Sequence, residues 1–306
     1  MERAAAALLA GSFLALFLGG GARFAIGLTL KPMVDELGSG RTAVGLAVAL
    51  FLCVSAAATF VSGRMSDALS PGKTLLAGMV LSGLGIGALG LATAPWHVVA
   101  LYGILYAVGS GLASITPIGV LVTRWFPGRV GLANAVAISG LSLGQLVMIA
   151  GLAAALAGIG WRSAYYLLAL AHLVAWPVIA WAMSRNTGDP VPRVVADRSA
   201  TRSLPALTMG DALRSARFRW LLLIYAICGF DDFFVSTHVV AFAQDRGLGP
   251  WLSGNLLALM GLTALIGVVA AGYWSDRAGP VWPTAASFAA RIVVFAAILI
   301  DQSAVS

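Results

Sequence analysis

The sequence predicts an all-α membrane protein: a helical bundle with nine transmembrane helices, six before a polar linker and three after it. Two observations carry this prediction. The 306-residue chain is 60% hydrophobic and only 10% charged, with a mean hydropathy of +0.93, whereas soluble domains are about one quarter charged. Its apolar residues also form long runs without the two-residue alternation of membrane β-strands.

Nine apolar runs define the elements, and most exceed the roughly 20 residues needed to cross the hydrocarbon core. The predicted helices are 8–33, 43–63, 74–94, 98–122, 131–157, 163–184, 219–243, 251–274 and 282–300. The first run continues beyond signal-peptide length and follows a weakly basic amino end, Met1 to Arg3. We therefore interpret it as an uncleaved first helix.

The basic residues predict that the N-terminus is cytoplasmic, in a multi-pass protein of the cell (plasma or inner) membrane. With this orientation thirteen basic residues lie inside and four outside, which fits the excess of Lys and Arg in cytoplasmic loops. The outer four are Lys31, Arg41, Arg162 and Arg246; the inner thirteen are Arg3, Arg64, Lys73, Arg124, Arg129, Arg185, Arg193, Arg198, Arg202, Arg214, Arg217, Arg219 and Arg277. The net charge of +7 is thereby explained without a nucleic-acid partner.

One long polar segment, 185–218, divides the chain into a six-helix bundle at 1–184 and a three-helix part at 219–306. It contains three prolines and many arginines. We expect a cytoplasmic linker that either touches anionic lipid headgroups or acts as a solvated tether.

The two parts form an internal repeat with a constant shift of 209 residues. Gly63 and Asp67 at the end of the second helix match Gly272 and Asp276, and further matches need no gap over about fifty residues. Six crossings separate the copies, so the repeat is parallel, an architecture found in secondary transporters. The same shift pairs Arg23 with Asp232, so we expect opposite charges to face a shared cavity.

Several motifs resemble those of the major facilitator superfamily. Gly63, Arg64 and Asp67, followed by Pro71-Gly72-Lys73, are similar to its loop motif between the second and third helices. Gly272, Asp276 and Arg277 are similar to the second copy. The segments WFPGRVGLA at 125–133 and GWRSAY at 160–165 resemble the monocarboxylate and oxalate–formate porter branch.

This resemblance implies two six-helix bundles that rock for alternating access. It also implies that the motif aspartate holds one conformational state by contacting the start of a helix in the other half, where a carboxylate benefits from the helix dipole. For Asp276 that helix starts near Gly131, and for Asp67 it would be the eleventh. Because the chain stops after the ninth predicted helix, the resemblance describes a C-terminally truncated member.

The charged residues predicted at membrane depth are the candidate site. Arg23 is the candidate anion-binding group, since its planar guanidinium matches a carboxylate, and Gly19, Gly20 and Gly21 could admit a ligand. A structural ion pair with Asp231 or Asp232 is the alternative. The eighth predicted helix has no charge, in contrast to the porter branch, and Asn255 is its most polar residue.

Asp231, Asp232 and His238 are candidates for proton coupling. Neighbouring carboxylates in a low dielectric raise at least one pKa, and His238 lies two turns after Asp231 on the same helical face. A capped or core histidine is the alternative. For Arg291, a structural pair or a snorkelling side chain is favoured over substrate contact.

The sequence thus predicts a secondary active transporter, a symporter or antiporter, for a small monocarboxylate-like organic anion. A non-transporting membrane binding or sensing protein, or a gene fragment, is the alternative. No nucleophile motif or metal cluster falls at membrane depth, so neither enzyme activity nor a cofactor is expected. Cys53 and Cys228 are expected to be packing residues. The oligomeric state is left open.

Overall fold

The apolar runs form long helices, because backbone N–H and C=O groups in lipid have to be hydrogen-bonded within their own segment. The computed structural model describes residues 2–38, 41–126, 129–184, 209–245 and 250–300, and within these it contains helices and no strand. The helices are α1 Glu2–Leu37, α2 Arg41–Ala68, α3 Pro71–Leu89, α4 Pro95–Ala100, α5 Ala107–Leu112, α6 Ile115–Trp125, α7 Val130–Ser184, α8 Met209–Arg214, α9 Ala216–Asp245, α10 Pro250–Ala278 and α11 Val281–Ile300.

Seven helical stretches in the described residues are long and apolar enough to cross a membrane. They are Arg3–Leu30, Thr42–Ala68, Pro71–Leu89, Pro95–Trp125, Val130–Leu156, Gly158–Ser184 and Ala258–Ala278, with a shorter apolar helix at Val281–Ala296. The multi-pass character is therefore confirmed, while the number nine stays a prediction. Most of the predicted linker 185–218 lies outside the described residues.

Two of these stretches are joined in α7, where Gly160 separates the predicted helices 131–157 and 163–184. Gly160 has φ 73° and ψ 164°, a left-handed conformation that a side chain disfavours. The chain reverses here without a loop of its own, which brings Trp161 and Arg162 to the start of the sixth crossing.

Several helix ends differ from the predicted ones. The second predicted helix, 43–63, continues as α2 to Ala68, and 251–274 continues as α10 to Ala278. Asp67 and Asp276 therefore lie on the last helical turns and not in loops. Hydropathy marks where the chain leaves the hydrocarbon core, whereas a helix continues into water until its backbone is capped. Conversely, 74–94 ends early, at Leu89.

By packing, the chain forms two compact units, Met1–Pro190 with Leu257–Ser306, and Val191–Leu256. In the first unit α1 has its most extensive contacts with α7. Glycines make this possible: a Cβ added at Gly140 or Gly144 would overlap the backbone oxygen of Phe13 or Phe17. The Gly140-x-x-x-Gly144 pattern therefore allows α1 and α7 to pack closely.

We expect Gly144→Ala to destabilise the protein, because the added methyl group must push α1 away from α7. Overpacking of this kind costs about 1–3 kcal/mol. Thermal unfolding of the purified protein in detergent, followed by near-ultraviolet circular dichroism, measures the loss. Gly151→Ala is the control, since its Cβ meets nothing within 4 Å and alanine favours the helix. Equal melting temperatures for both variants would contradict the packing argument.

Candidate functional site

Arg23 lies on α1 with open space beside it on one side. Gly19, one helical turn earlier on the same face, has nothing within 4 Å of where a Cβ would stand. The expectation that all three glycines could admit a ligand is wrong for two of them, because a Cβ at Gly20 would meet the Leu141 backbone and one at Gly21 the Met148 side chain. Gly20 and Gly21 are packing residues, and only Gly19 faces free space.

An aromatic wall stands behind Arg23. Its guanidinium carbon lies 6.0 Å from the ring centroid of Phe51, within the range of cation–π attraction. The rings of Phe51, Tyr102 and Tyr106 stack on one another with centroid separations of 4.9, 5.3 and 5.5 Å. The Tyr102 hydroxyl donates to the Arg23 backbone oxygen over 2.9 Å. Arg23 is partly buried, so a cation is held at the edge of a rigid apolar surface.

Phe51, Tyr102 and Tyr106 adjoin the candidate site at Arg23 and were not among the residues predicted from the sequence. All three are buried, with exposed fractions of 2%, 2% and 0%. The two tyrosines lie in a π-helical turn at Leu101–Tyr106, a local feature that recurs at functional sites. The only sequence signal was their spacing of four residues inside an apolar run, which places both rings on one helical face.

The predicted acidic candidates lie in the second unit, on α9. Asp231 is partly buried and Asp232 is exposed. His238 is on the same helix, but its side chain lies outside the described residues. Asn255 on α10 is partly buried. Within the described residues no three His, Cys, Asp or Glu side chains lie close enough to share a metal ion.

Arg291 belongs to α11, where its guanidinium carbon lies 5.8 Å from the Phe288 ring centroid. This contact is within cation–π range and involves a neighbour on the same helix. It is compatible with the structural role expected for Arg291.

Asp276 at the end of α10 contacts the start of α7. Its two carboxylate oxygens accept hydrogen bonds from the backbone N–H groups of Gly131 and Leu132, each over 2.8 Å. These N–H groups belong to the first turn of α7, where no intrahelical acceptor exists and the helix dipole favours a negative charge. One carboxylate thus joins two helices that are 145 residues apart in sequence.

Glycines allow the α10–α7 contact. A Cβ at Gly131 would overlap the Asp276 carboxylate, and one at Gly272 would overlap the Ala135 side chain. Three turns earlier on α10, a Cβ at Gly261 would come within 2.8 Å of the Ser142 backbone oxygen. In its second copy, the Gly-x-x-x-Asp motif of the repeat therefore packs directly against α7.

The first copy of the motif has a different environment. Asp67 is exposed and makes no hydrogen bond or ion pair with the part of the chain that the structure describes. Gly63 has only the Thr116 methyl group at the 4.0 Å limit, and Arg64 is exposed. Arg277, the counterpart of Ala68 in the repeat, lies over the Tyr273 ring at 3.9 Å. The repeat is therefore asymmetric in its contacts.

A clamp, formed by Glu36, Trp161 and Arg162, ties three helices together. The Glu36 carboxylate accepts hydrogen bonds from the Trp161 indole N–H at 2.5 Å and from Arg162 Nε at 3.0 Å. Arg162 Nη1 also donates to the backbone oxygens of Gly90 and Ala92, at 2.9 and 2.7 Å. The guanidinium thus caps the carboxyl end of α3, which explains why that helix ends before the predicted residue 94.

The clamp predicts an acid-sensitive contribution to stability. Hydrogen bonds from Trp161, and then from Arg162, hold the pKa of Glu36 below its ordinary value of 4.5. The native state therefore binds this proton less readily than the unfolded state, so the contribution is complete above pH 4.5 and is lost as the pH falls through the lowered native value. We expect Glu36→Gln to remove this acid-dependent part of the melting temperature, as thermal unfolding between pH 3 and 7 measures.

The matched comparison for the clamp is Arg162→Gln, which removes the cation and the caps on Gly90 and Ala92 while leaving the carboxylate. It should lower the melting temperature at every pH, since two backbone oxygens lose a charged donor. A Glu36→Gln profile that keeps the wild-type slope below pH 4.5 would show that the clamp does not act through this carboxylate.

Taken together, the long apolar helices define a multi-pass helical membrane protein. The sequence profile of the Major Facilitator Superfamily matches residues 12–304. The chain belongs to this family.

Several curated proteins are similar to this chain at low identity. The uncharacterized MFS-type transporter YcxA of Bacillus subtilis (strain 168) is 24% identical over 252 residues, covering 82% of this chain and 60% of that protein. Monocarboxylate transporter 11 of Mus musculus is 27% identical over 255 residues, covering 82% and 55%. Monocarboxylate transporter 13 of Bos taurus is 26% identical over 224 residues, covering 72% and 50%. The chain thus spans between 50% and 60% of the length of these relatives.

Proposed function

We propose that the protein is a secondary active transporter that moves a small monocarboxylate-like anion by alternating access. The observation that carries this proposal is Arg23: a partly buried cation on a membrane-spanning helix, with open space at Gly19 on the same face. A cation at membrane depth costs a few kcal/mol, so its retention favours a function. The names of two similar proteins, monocarboxylate transporters 11 and 13, support the same substrate class.

In this proposal the Arg23 guanidinium binds the carboxylate through two parallel N–H···O bonds. The aromatic wall of Phe51, Tyr102 and Tyr106 limits the motion of Arg23, so that little conformational freedom remains to be lost on binding. Asn255 is proposed as a further substrate contact. Asp231, Asp232 and His238 would balance the charge, with Asp232 as the repeat partner of Arg23, and coupling would be to protons or to a second anion.

The conformational part of the proposal assigns Gly63, Arg64, Asp67, Gly272, Asp276 and Arg277 to the switching motif. The contact of Asp276 with the first turn of α7 supports a role in holding one of the two access states. The proposed setting is the cell membrane, with the N-terminus in the cytoplasm.

Uptake by proteoliposomes tests the function. The full chain is reconstituted, and accumulation of radiolabelled lactate and pyruvate is followed with and without an imposed proton gradient. Saturable uptake that protein-free vesicles do not show would support the proposal. Saturable binding with no flux would instead select the non-transporting binding protein, and neither binding nor flux for a panel of monocarboxylates would remove the proposed substrate class.

A further inference from the structure

A groove of about 740 Å³ runs between α3 and the second half of α7, on the surface of the first unit. This volume is within the range of about 300–1,000 Å³ typical of small-molecule sites. Glycines form its floor: a Cβ at Gly83 would lie 3.2 Å from the His172 Cβ, and one at Gly87 would lie 2.9 Å from the Ala169 Cβ. The two helices therefore approach closely at these glycines. The larger side chains that flank the glycines stand apart and leave the groove open.

The walls of the groove are large apolar side chains that are exposed. Leu84 and Leu91 line one side, and Leu170 and Leu173 line the other, with exposed fractions between 53% and 71%. On a membrane-spanning segment such leucines face the hydrocarbon region, where water is absent. The groove is thus open to molecules that partition into the bilayer.

One polar side chain lies in this apolar groove. His172 lines it, is 4% exposed, and sits near the middle of the crossing Gly158–Ser184, roughly 18 Å along the helix from its inner end. Its Nδ1 lies 2.8 Å from the backbone oxygen of Leu168. That oxygen can only accept, so Nδ1 carries the hydrogen and Nε2 of the neutral ring is an acceptor.

This acceptor has no donor in the part of the chain that the structure describes, where the bond to Leu168 is the one hydrogen bond His172 makes. An acceptor that meets neither a protein donor nor water is costly, and water is absent from the hydrocarbon region. The headgroups of phospholipids cannot reach mid-bilayer, and their acyl chains carry no donor. A membrane-soluble molecule with a hydroxyl group within an apolar body would supply the missing donor.

We propose that the groove binds a membrane-partitioned alcohol or phenol, whose hydroxyl donates to His172 Nε2 and whose apolar body lies along Gly83, Gly87 and the flanking leucines. The site is independent of the proposed substrate site at Arg23. It uses one placed polar group for orientation and apolar walls for affinity, as small-molecule sites commonly do.

Photo-cross-linking of the full chain in lipid nanodiscs tests this site. The probe is heptadecan-9-ol carrying a diazirine beside the hydroxyl, and labelled peptides are identified by mass spectrometry. We expect saturable labelling of α3 and of the second half of α7. Unlabelled heptadecan-9-ol should compete about fivefold better than its methyl ether, which has no donor, in keeping with one net hydrogen bond.

Three variants sharpen the test, each checked for folding by thermal unfolding. His172→Phe should weaken competition by the alcohol about fivefold and leave the ether unchanged, so that the two compete equally. His172→Gln, which offers a carbonyl acceptor, should restore part of the difference. Ala88→Phe fills the groove and should abolish labelling, whereas Leu46→Phe, at an exposed position on α2, should not.

Equal competition by alcohol and ether in the wild-type protein would overturn the proposal and leave a groove for acyl chains. Labelling spread evenly over all exposed helices would overturn it as well. So would labelling that is absent while cross-linking between copies occurs through α3 and α7, because a second copy of the chain would then cover the groove.

Discussion

Arg23→Gln should abolish the uptake of lactate and pyruvate by proteoliposomes. Glutamine keeps part of the length and polarity of arginine but has no charge, so a carboxylate entering from water would lose its counter-ion in a region of low dielectric. Removing one partner of a buried, hydrogen-bonded charge pair costs about 2–5 kcal/mol. At the lower end this is about a thirtyfold loss of affinity, enough to take uptake to background at micromolar substrate.

Two further variants make the Arg23 experiment specific. Arg23→Lys keeps the charge but not the planar fork, and should retain weak uptake with a raised KM. Arg3→Gln is the matched control, since it makes the same substitution at an exposed position on the same helix and should leave uptake unchanged. Unchanged uptake by Arg23→Gln, with normal folding, would remove Arg23 from the binding site and leave a structural ion pair as its role.

The surroundings of Arg23 show what one sequence can and cannot indicate about a site. A charge within an apolar run is visible directly, because its cost in lipid makes it unusual. Its aromatic wall was not visible, since Phe51 comes from α2 and Tyr102 and Tyr106 come from a π-helical turn. Helical periodicity tells which residues share a face of one helix, but not which face of another helix meets it.

The glycines illustrate the same limit. Gly19, Gly20 and Gly21 are equivalent in the sequence, and each could admit a ligand. Successive residues on a helix point about 100° apart, so one of the three faces open space while the other two face the Leu141 backbone and Met148. Only the position of α7 decides between these outcomes, and composition carries no information about it.

By contrast, the partner of Asp276 could be anticipated from general physics and the family resemblance together. The first turn of a helix has N–H groups without acceptors and a positive dipole end, so a carboxylate at the end of a neighbouring helix can bind there. The boundary of the helix could not be anticipated, because the predicted apolar run ends at Trp274 whereas α10 continues to Ala278. The carboxylate is positioned by that additional helical turn.

Asp276→Asn should shift the protein away from the state in which α10 and α7 are joined. The carboxylate accepts from both Gly131 and Leu132, whereas an asparagine amide has one acceptor oxygen and must turn its NH₂ group toward the other donor. It also loses the attraction between charge and helix dipole. For an exposed carboxylate we expect about a tenfold change in the ratio of the two states, equivalent to 1.4 kcal/mol.

Spin labels on Arg124 and Ala278, both exposed, would report the ratio as two distances in pulsed electron resonance. Asp35→Asn is the matched control, because it makes the same change at an exposed aspartate on α1, outside the proposed switching motif. Gly272→Val should act like Asp276→Asn by a separate route, since its side chain would collide with Ala135. If the distance distribution were unchanged in both α10 variants, the Asp276 contact would be a packing feature common to both states and not a determinant of their balance.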